Sequence, residues 1–272
     1  MLGLKNLLAK AIGHADKKEE DLLNVDGQMH YKPLDLETVY VGYNPMEVWE
    51  LTGTAKLLVA DYCHSHHIAP VDLARVGATI LLGDCHNTQR LSNPKIPLVI
   101  FLPIFRGGAL VAGWGRVFNE TKTDGKPWKW RGYGFSDGNG AILYTTALPL
   151  AAFAMTEEKA EKTPVVLVES PTDAIRLQRL GWWAVALGGH TITQKGREEL
   201  ARMPQKSVIV LLDSDAKNAT LSLVAKVQAF KKKVVPVFIH SKGESYIVDP
   251  SDLDDHDLRG FLLKPIQELI NG

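Results

Sequence analysis

The sequence predicts an α/β protein whose second half is a parallel sheet flanked by helices, preceded by a smaller, basic α+β subdomain. Three observations carry this reading. Val165–Val168 and Val208–Leu212 are continuous apolar runs, the composition of strands buried on both faces. Stretches of helical spacing alternate with such runs from residue 163 onward, the pattern of β–α–β units with right-handed crossovers. Upstream, residues 97–117 alternate in the manner of a hairpin, with cations and aromatics interleaved.

Taken in order, 272 residues with 45% hydrophobic content suffice for one large or two modest domains. The first dozen residues read as a short amphipathic helix. Residues 20–50 are polar and turn-rich, with Asp26-Gly27 and Asn44-Pro45 as breakers, so 1–52 is expected to be a helix and an irregular extension. The opening apolar stretch is too short for a signal peptide. The longest apolar run, around Leu98 to Leu102, is strand-sized, so no membrane partner is expected.

Residues 53–156 form the predicted upstream subdomain. A helix covers 53–62, and Pro70 opens a second over Val71–Val76 that stops at Gly77. Strand 97–105 turns at Arg106-Gly107-Gly108 into strand 109–118, and a glycine-rich loop spans 132–140. EEKAEK, residues 157–162, reads as a connection between domains. The second domain, 163–255, opens with strand Val165–Val168 and helix Thr172–Leu180. Strand Trp183–Leu187 ends at Gly188-Gly189, and helix Gln194–Arg202 follows. Then come strand Val208–Leu212, helix Lys217–Lys231 and strand Val234–Ile239, and a helix over 256–272 closes the chain.

The formal net charge is zero, which excludes a uniformly basic nucleic-acid binder but not a local patch. Lys95, Arg106, Arg116, Lys122, Lys126, Lys129 and Arg131 stand against Glu120 and Asp124, a net of five positive charges within 37 residues. Trp114, Trp128, Trp130 and Tyr133 lie among them. Two readings fit: a surface for phosphates and stacked bases, or a solvated ribbon whose tryptophans belong to the core. Only two cysteines occur, Cys63 and Cys85, which argues against a disulfide framework and fits a reducing cytoplasm.

The chemistry concentrates on acids. In an open parallel sheet, ligands collect at the carboxyl ends of strands. Glu169 follows VVLV, and Asp213 and Asp215 follow VIVLL. In extended backbone, residues two apart point to one side. Gathered carboxylates repel one another unless a cation neutralises them, and hard oxygen donors favour Mg²⁺ or Mn²⁺. Asp173, one helical turn after Glu169, can face the same pocket. The bland alternative makes Glu169 a helix-entry residue and the two aspartates turn residues. Cys63, His64, His66, His67, Cys85 and His86 invite a zinc reading, but their spacing is irregular and His64 to His67 fall at a helix end, so a structural role is the expectation.

VVLVESPTDAIRL followed by VIVLLDSDA resembles the TOPRIM domain of topoisomerases, bacterial-type primases and some nucleases, with Glu after the first strand and Asp-x-Asp after a later one. AVALGGHTIT is similar to the second strand and glycine turn of primases of the DnaG type. PIFRGGALVAGWGRVF and ADYCHSHHIAPVDLARVGA resemble the primase segments before that domain. Lys129-Trp130 falls where the family has Lys and an aromatic, and Asp249-Pro250-Ser251-Asp252 resembles its last acidic motif, lengthened by one residue. The resemblance covers roughly residues 55 to 255. It departs at Ser170, where Gly is usual, and at RGYGFSDGNG, which replaces an Asn-Ser-Pro stretch. The family's zinc ribbon and helicase-binding domain have no counterpart here.

The resemblance implies a TOPRIM-type sheet at the catalytic core of a DnaG-type primase, making RNA primers on single-stranded DNA from nucleoside triphosphates. Two or more ions of Mg²⁺ or Mn²⁺ would sit on Glu169, Asp213 and Asp215, with Asp173 and Asp249 as additional ligands. Lys129 would act in catalysis. Arg106, Arg116, Lys129, Trp130 and Arg131 would meet nucleotide or DNA. A helicase or zinc-ribbon protein would be a separate partner, and the compact architecture suggests a phage or mobile element. A TOPRIM nuclease and a non-catalytic DNA-binding replication factor are the alternatives.

Overall fold

The computed structural model describes residues 40–43, 54–83, 98–106, 108–118, 129–134, 143–144, 157–231, 233–239 and 249–271. They fall into two compact units. One lies within 1–64 and 69–139, the other within 65–68 and 140–272.

The first unit holds a five-stranded antiparallel sheet in sequential order: β1 (Tyr40–Tyr43), β2 (Thr79–Gly83), β3 (Leu98–Arg106), β4 (Ala109–Phe118) and β5 (Trp130–Tyr133). Helices α1 (Thr54–Ser65) and α2 (Pro70–Arg75) precede β2. Strands β3 and β4 form the expected hairpin. Arg106 pairs with Ala109 rather than turning, and a register shift falls between Ile104 and Phe105. The polar extension before residue 52 contributes a strand, because Tyr40–Tyr43 pairs with Ile80–Gly83. Three of the first strands therefore escaped the sequence reading, which saw only the hairpin.

The Gly-Trp-Gly step in β4 has a packing cause. A β-carbon at Gly113 would overlap the ring of Phe101 and stand 2.9 Å from the Leu102 carbonyl oxygen. One at Gly115 would lie 2.7 Å from both the Tyr133 ring and Val99. The Phe101 and Tyr133 rings meet edge to face at 5.6 Å over these glycines. With Leu81, Val99 and Val117 they form the core on this face. Each glycine replaced by a larger residue would overfill that layer.

The second unit holds a four-stranded parallel sheet: β6 (Val165–Val168), β7 (Trp183–Ala186), β8 (Ser207–Val210) and β9 (Lys233–Pro236), in the order β7-β6-β8-β9. All residues of β6, β7 and β8 are buried. Helices α4 (Pro171–Arg179), α5 (Gln194–Arg202) and α6 (Lys217–Gln228) alternate with them as expected, and α7 (Asp255–Asn271) closes the chain. Apolar side chains from the sheet and from α5 and α6 form one core, among them Val165, Leu167, Val185, Leu200, Val208, Val210, Leu223 and Val227. Burying strands of Val, Ile and Leu contributes roughly 1.5–3 kcal/mol per side chain. The predicted strand over Val234–Ile239 is shorter, ending at Pro236, with one further ladder bond from the Val237 N–H to Val210 O at 2.9 Å.

EEKAEK, expected as a connection, forms a helix, α3 (Glu157–Lys162). Lys206 pairs with Glu161 and its N–H reaches the Glu161 carbonyl, so α3 is tied to the segment entering β8. Tyr144 exchanges two backbone hydrogen bonds with Ala186, at 2.9 and 3.1 Å, and the Leu143 N–H donates to the buried Glu199 carboxylate at 2.8 Å. These contacts bring residues 143–144, inside the predicted upstream subdomain, into the second unit. The amino-terminal helix expected in the first dozen residues lies outside the described residues.

Candidate functional site

Strands β6 and β8 are the central neighbours of the parallel sheet, and both end at the same edge. Glu169 follows β6. The ladder continues past the strands, with Leu211 N–H donating to Leu167 O and Gly188 N–H to Glu169 O, both at 2.9 Å. The Glu169 backbone is therefore fixed from the turn after β7.

Local structure does not consume these acids. Helix α4 is capped by Ser170, whose Oγ accepts from the Asp173 N–H at 3.1 Å, so Glu169 is not its cap. Asp213 stands before a 3₁₀ turn, Ser214–Ala216, without making a side-chain cap bond. That turn corrects one expectation. Strand β8 ends at Val210, and Asp215 sits in the turn, so the two aspartates do not share a side by strand alternation. Asp215 is exposed and Asp213 is partly buried.

The cluster is joined electrostatically. Burial pushes the Asp213 carboxyl up to about 8, and repulsion from Glu169, Asp249, Asp173 and Asp215 adds to the rise. Burial also raises Glu169. The nearby His190 opposes that rise, Asp215 and Asp249 reinforce it, and a side-chain hydrogen bond with Asp213 opposes it. Asp173 is pushed up to about 6, chiefly by burial, against a hydrogen bond from Ser170 Oγ at 2.7 Å and the charge of Arg176. Asp173 thus has a structural task beside any ligand role.

Two residues that the sequence reading passed over shape this edge. His190 follows the Gly188-Gly189 turn after β7, and its Nδ1 stands 3.1 Å from Glu169 Oε2. The strand-end rule that singled out Glu169 applies equally to this turn. Arg176 is buried on α4. Its Nε donates to Asp255 Oδ1 at 3.0 Å and its Nη1 to Pro250 O at 2.9 Å, while Nη2 reaches Leu253 O. It thereby holds the segment that follows Asp249. An arginine among Ala174, Ile175 and Leu177 on a buried helix face was the available signal.

The donor set fits a hard divalent cation. Glu169 Oε2 is buried and accepts no hydrogen bond, and the surplus of close carboxylates is relieved by positive charge. The arrangement is open. Among the described residues, the one group of three acidic or histidine side chains with all ligand atoms within 4.8 Å is Asp254, His256 and Asp257. These are exposed at the start of α7, where Asp254 accepts from the Asp257 N–H at 2.8 Å, a helix-capping arrangement.

Of the residues that invite a zinc reading, Cys63 is buried in the first unit, and burial, with the Asp72 charge adding to it, pushes its thiol up to about 11. Cys85 and His86 lie outside the described residues, as do Lys95, Lys122, Lys126 and Trp128.

In the first unit, Arg116 pairs across β4 and β5 with Trp130, and Lys129 O accepts from the Val117 N–H at 3.1 Å. The Arg116 guanidinium lies over the rings of Tyr62 (5.4 Å) and Phe118 (5.6 Å), which fixes its direction. Arg131 stands opposite Gly115 and so on the other face of the sheet. Arg106 donates to the Phe105 carbonyl at 2.8 Å at the far end of β3. Lys129 is exposed, and Trp114 and Trp130 are half-buried. Arg116 is thus held against aromatic rings, while Arg131 lies on the other face and Arg106 at the far end of β3.

Residues 166–251 match the family model described as Toprim-like. The fold is that of bacterial primase cores. The RNA polymerase domain of Mycobacterium tuberculosis primase DnaG matches with a TM-score of 0.55 and 16% identity, over 82% of this chain and 81% of that one. The Aquifex aeolicus primase, comprising zinc-binding and RNA polymerase domains, matches with a TM-score of 0.51 and 19% identity over 84% of this chain. This chain spans 59% of that protein's. A DnaG catalytic domain bound to single-stranded DNA gives a TM-score of 0.52 and 18% identity, over 81% and 74%. No curated protein matches the sequence. The resemblance read from the motifs therefore holds at the level of fold. No helix among the described residues is long and apolar enough to cross a membrane.

Proposed function

We propose that this chain is a primase-type nucleotidyltransferase that makes short RNA primers on single-stranded DNA from nucleoside triphosphates. The observation that carries the reading is the acidic cluster of Glu169, Asp213, Asp215 and Asp249 at the carboxyl edge of the two central strands. It sits in a fold shared with primase cores.

Glu169, Asp213 and Asp215 hold two or more Mg²⁺ or Mn²⁺ ions, with Asp249 and Asp173 beside them. When bound, such ions supply charge for the attacking hydroxyl and the leaving pyrophosphate. Asp213 and Glu169 must be ionised for this, which cation binding favours. Arg176 keeps Asp249 in range by gripping the backbone at Pro250 and Leu253. Lys129 and Arg116 neutralise triphosphate or template phosphates, and the Tyr62 and Phe118 rings hold Arg116 in a fixed attitude for that contact. Trp130 offers a face to a base, and Arg106 and Arg131 contact the template strand.

Defined single-stranded templates incubated with nucleoside triphosphates and Mg²⁺ or Mn²⁺ test the proposal. Short RNA products are expected from the wild type and none from Asp213→Asn. Robust synthesis by the variant overturns the site. Cleavage of labelled DNA without nucleotides, with no synthesis, replaces the primase reading with a Toprim nuclease using the same acids. DNA binding with neither activity leaves a non-catalytic replication factor.

A further inference from the structure

His190 brings an imidazole nitrogen to the acidic cluster. Gly188 adopts φ 72°, a left-handed conformation suited to glycine, and its N–H donates to the Glu169 carbonyl at 2.9 Å. That turn delivers the His190 ring to the carboxylate, with Nδ1 3.1 Å from Oε2. The oxygen is buried and has no hydrogen-bond partner, so the approach of the ring does not satisfy it as a hydrogen bond would. A spacing of about 3 Å separates neighbouring ligand atoms around one cation whose bonds are about 2.1 Å long. The ring is 49% exposed, which leaves it room to turn its nitrogen toward a shared ion.

We infer that His190 supplies a nitrogen donor to the cation held by Glu169 and so makes the centre selective for Mn²⁺ over Mg²⁺. The inference rests on the metal-centre reading above. Mg²⁺ keeps oxygen ligands and sheds water reluctantly. Imidazole suits transition ions, so a donor set of carboxylates with one imidazole shifts preference toward Mn²⁺ where carboxylates alone would take either.

The test adds Mn²⁺ to the purified full chain and reads electron spin echo modulation, with calorimetric titration of Mn²⁺ and Mg²⁺. Bound Mn²⁺ is expected to show modulation from an imidazole nitrogen. His190→Ala and His190→Gln should abolish that modulation and weaken Mn²⁺ binding about tenfold. Mg²⁺ affinity should change less than about threefold. Bound Mn²⁺ without nitrogen modulation in the wild type overturns the inference, as does modulation that persists in both variants. Either result leaves the carboxylate centre standing. Failure of the wild type to bind Mn²⁺, or undiminished binding by Asp213→Asn, overturns the metal centre and the inference with it. The wild-type spectrum decides the matter even where a variant fails to fold.

Discussion

Arg176 and Asp255 form a two-point ion pair across 79 residues of sequence, with Nε 3.0 Å and Nη2 2.9 Å from the same carboxylate oxygen. The arginine is 1% exposed and the aspartate is 36% exposed, so the arginine is the partner that depends on the pair. Arg179 reaches the second oxygen at 2.6 Å. Replacing Arg176 with Met leaves two backbone carbonyls without their donor. We expect a loss of about 2–4 kcal/mol of stability in urea unfolding. Divalent-ion affinity should fall as well, because the segment carrying Asp249 is released. Stability unchanged within 0.5 kcal/mol, on the order of an ordinary surface substitution, would refute the clamp.

The raised carboxyls predict an unusual pH profile for the metal-free protein. A carboxyl whose folded value lies above its unfolded value stabilises the fold fully below the unfolded value. That stability is lost as pH rises through the folded one. For Asp173, at about 6, and Asp213, at about 8, unfolding free energy should therefore decline between pH 4 and pH 8. After discounting for solvent screening at this partly exposed edge, the decline is about 2 kcal/mol. Saturating Mg²⁺ or Mn²⁺ should flatten the profile by neutralising the same acids. Thermal melts across this range, with and without the ion, measure both effects, and a metal-free profile that rises toward pH 8 contradicts the assignment.

Asp213→Asn separates stability from function. Removing one carboxylate relieves repulsion on Glu169, Asp173 and Asp249. The metal-free variant should be more stable at pH 8 by about 1–2 kcal/mol, while losing divalent-ion binding. A variant both less stable and metal-competent would place Asp213 in the core's service instead.

Gly113→Ala inserts a methyl group where the Phe101 ring already lies. The cost is expected to be about 1–3 kcal/mol, read from chemical denaturation. Combining it with Phe101→Leu should recover part of that loss, since the ring is the nearer obstacle and the Leu102 carbonyl remains.

Lys129→Ala tests the basic sheet. The side chain is exposed, so stability should hold within about 0.5 kcal/mol. Affinity for single-stranded DNA should fall for every sequence alike, and the salt dependence of binding should weaken by about 0.7 in log–log slope, one phosphate contact. An unchanged slope removes Lys129 from the template path.

The second unit was legible because fully buried strands write themselves as Val, Ile and Leu runs and because glycine and proline punctuate its helices. Glu169 and Asp213 were legible by position, as acids immediately after such runs. The first unit was read less completely. Tyr40–Tyr43 and Trp130–Tyr133 are four residues each, too short for a pattern of period two to stand out, and their pairing is set by distant partners. Arg176 and His190 were missed for a common reason. Each matters through a neighbour brought close by the fold, Asp255 in one case and Glu169 in the other, and no local spacing announces either pair. Helix α3 was missed because a charged hexapeptide without apolar periodicity reads as a link, whereas Glu161 and Lys206 supply its anchor from outside.

The two-way backbone exchange between Tyr144 and Ala186 has a consequence for the protein in a crowded solution. Strand β7 is an outer strand of the parallel sheet, and its residues are Trp, Ala and Val, attractive to any unpaired strand of another molecule. Tyr144 occupies the last donor and acceptor on that rim, shortening the stretch on which a foreign strand could lengthen the sheet. On the opposite rim, Lys233 and Pro236 bracket β9, one carrying charge and the other lacking an N–H to offer. The sheet that carries the acids is thus guarded at both sides against self-association, and substituting Tyr144 with proline would open one of them.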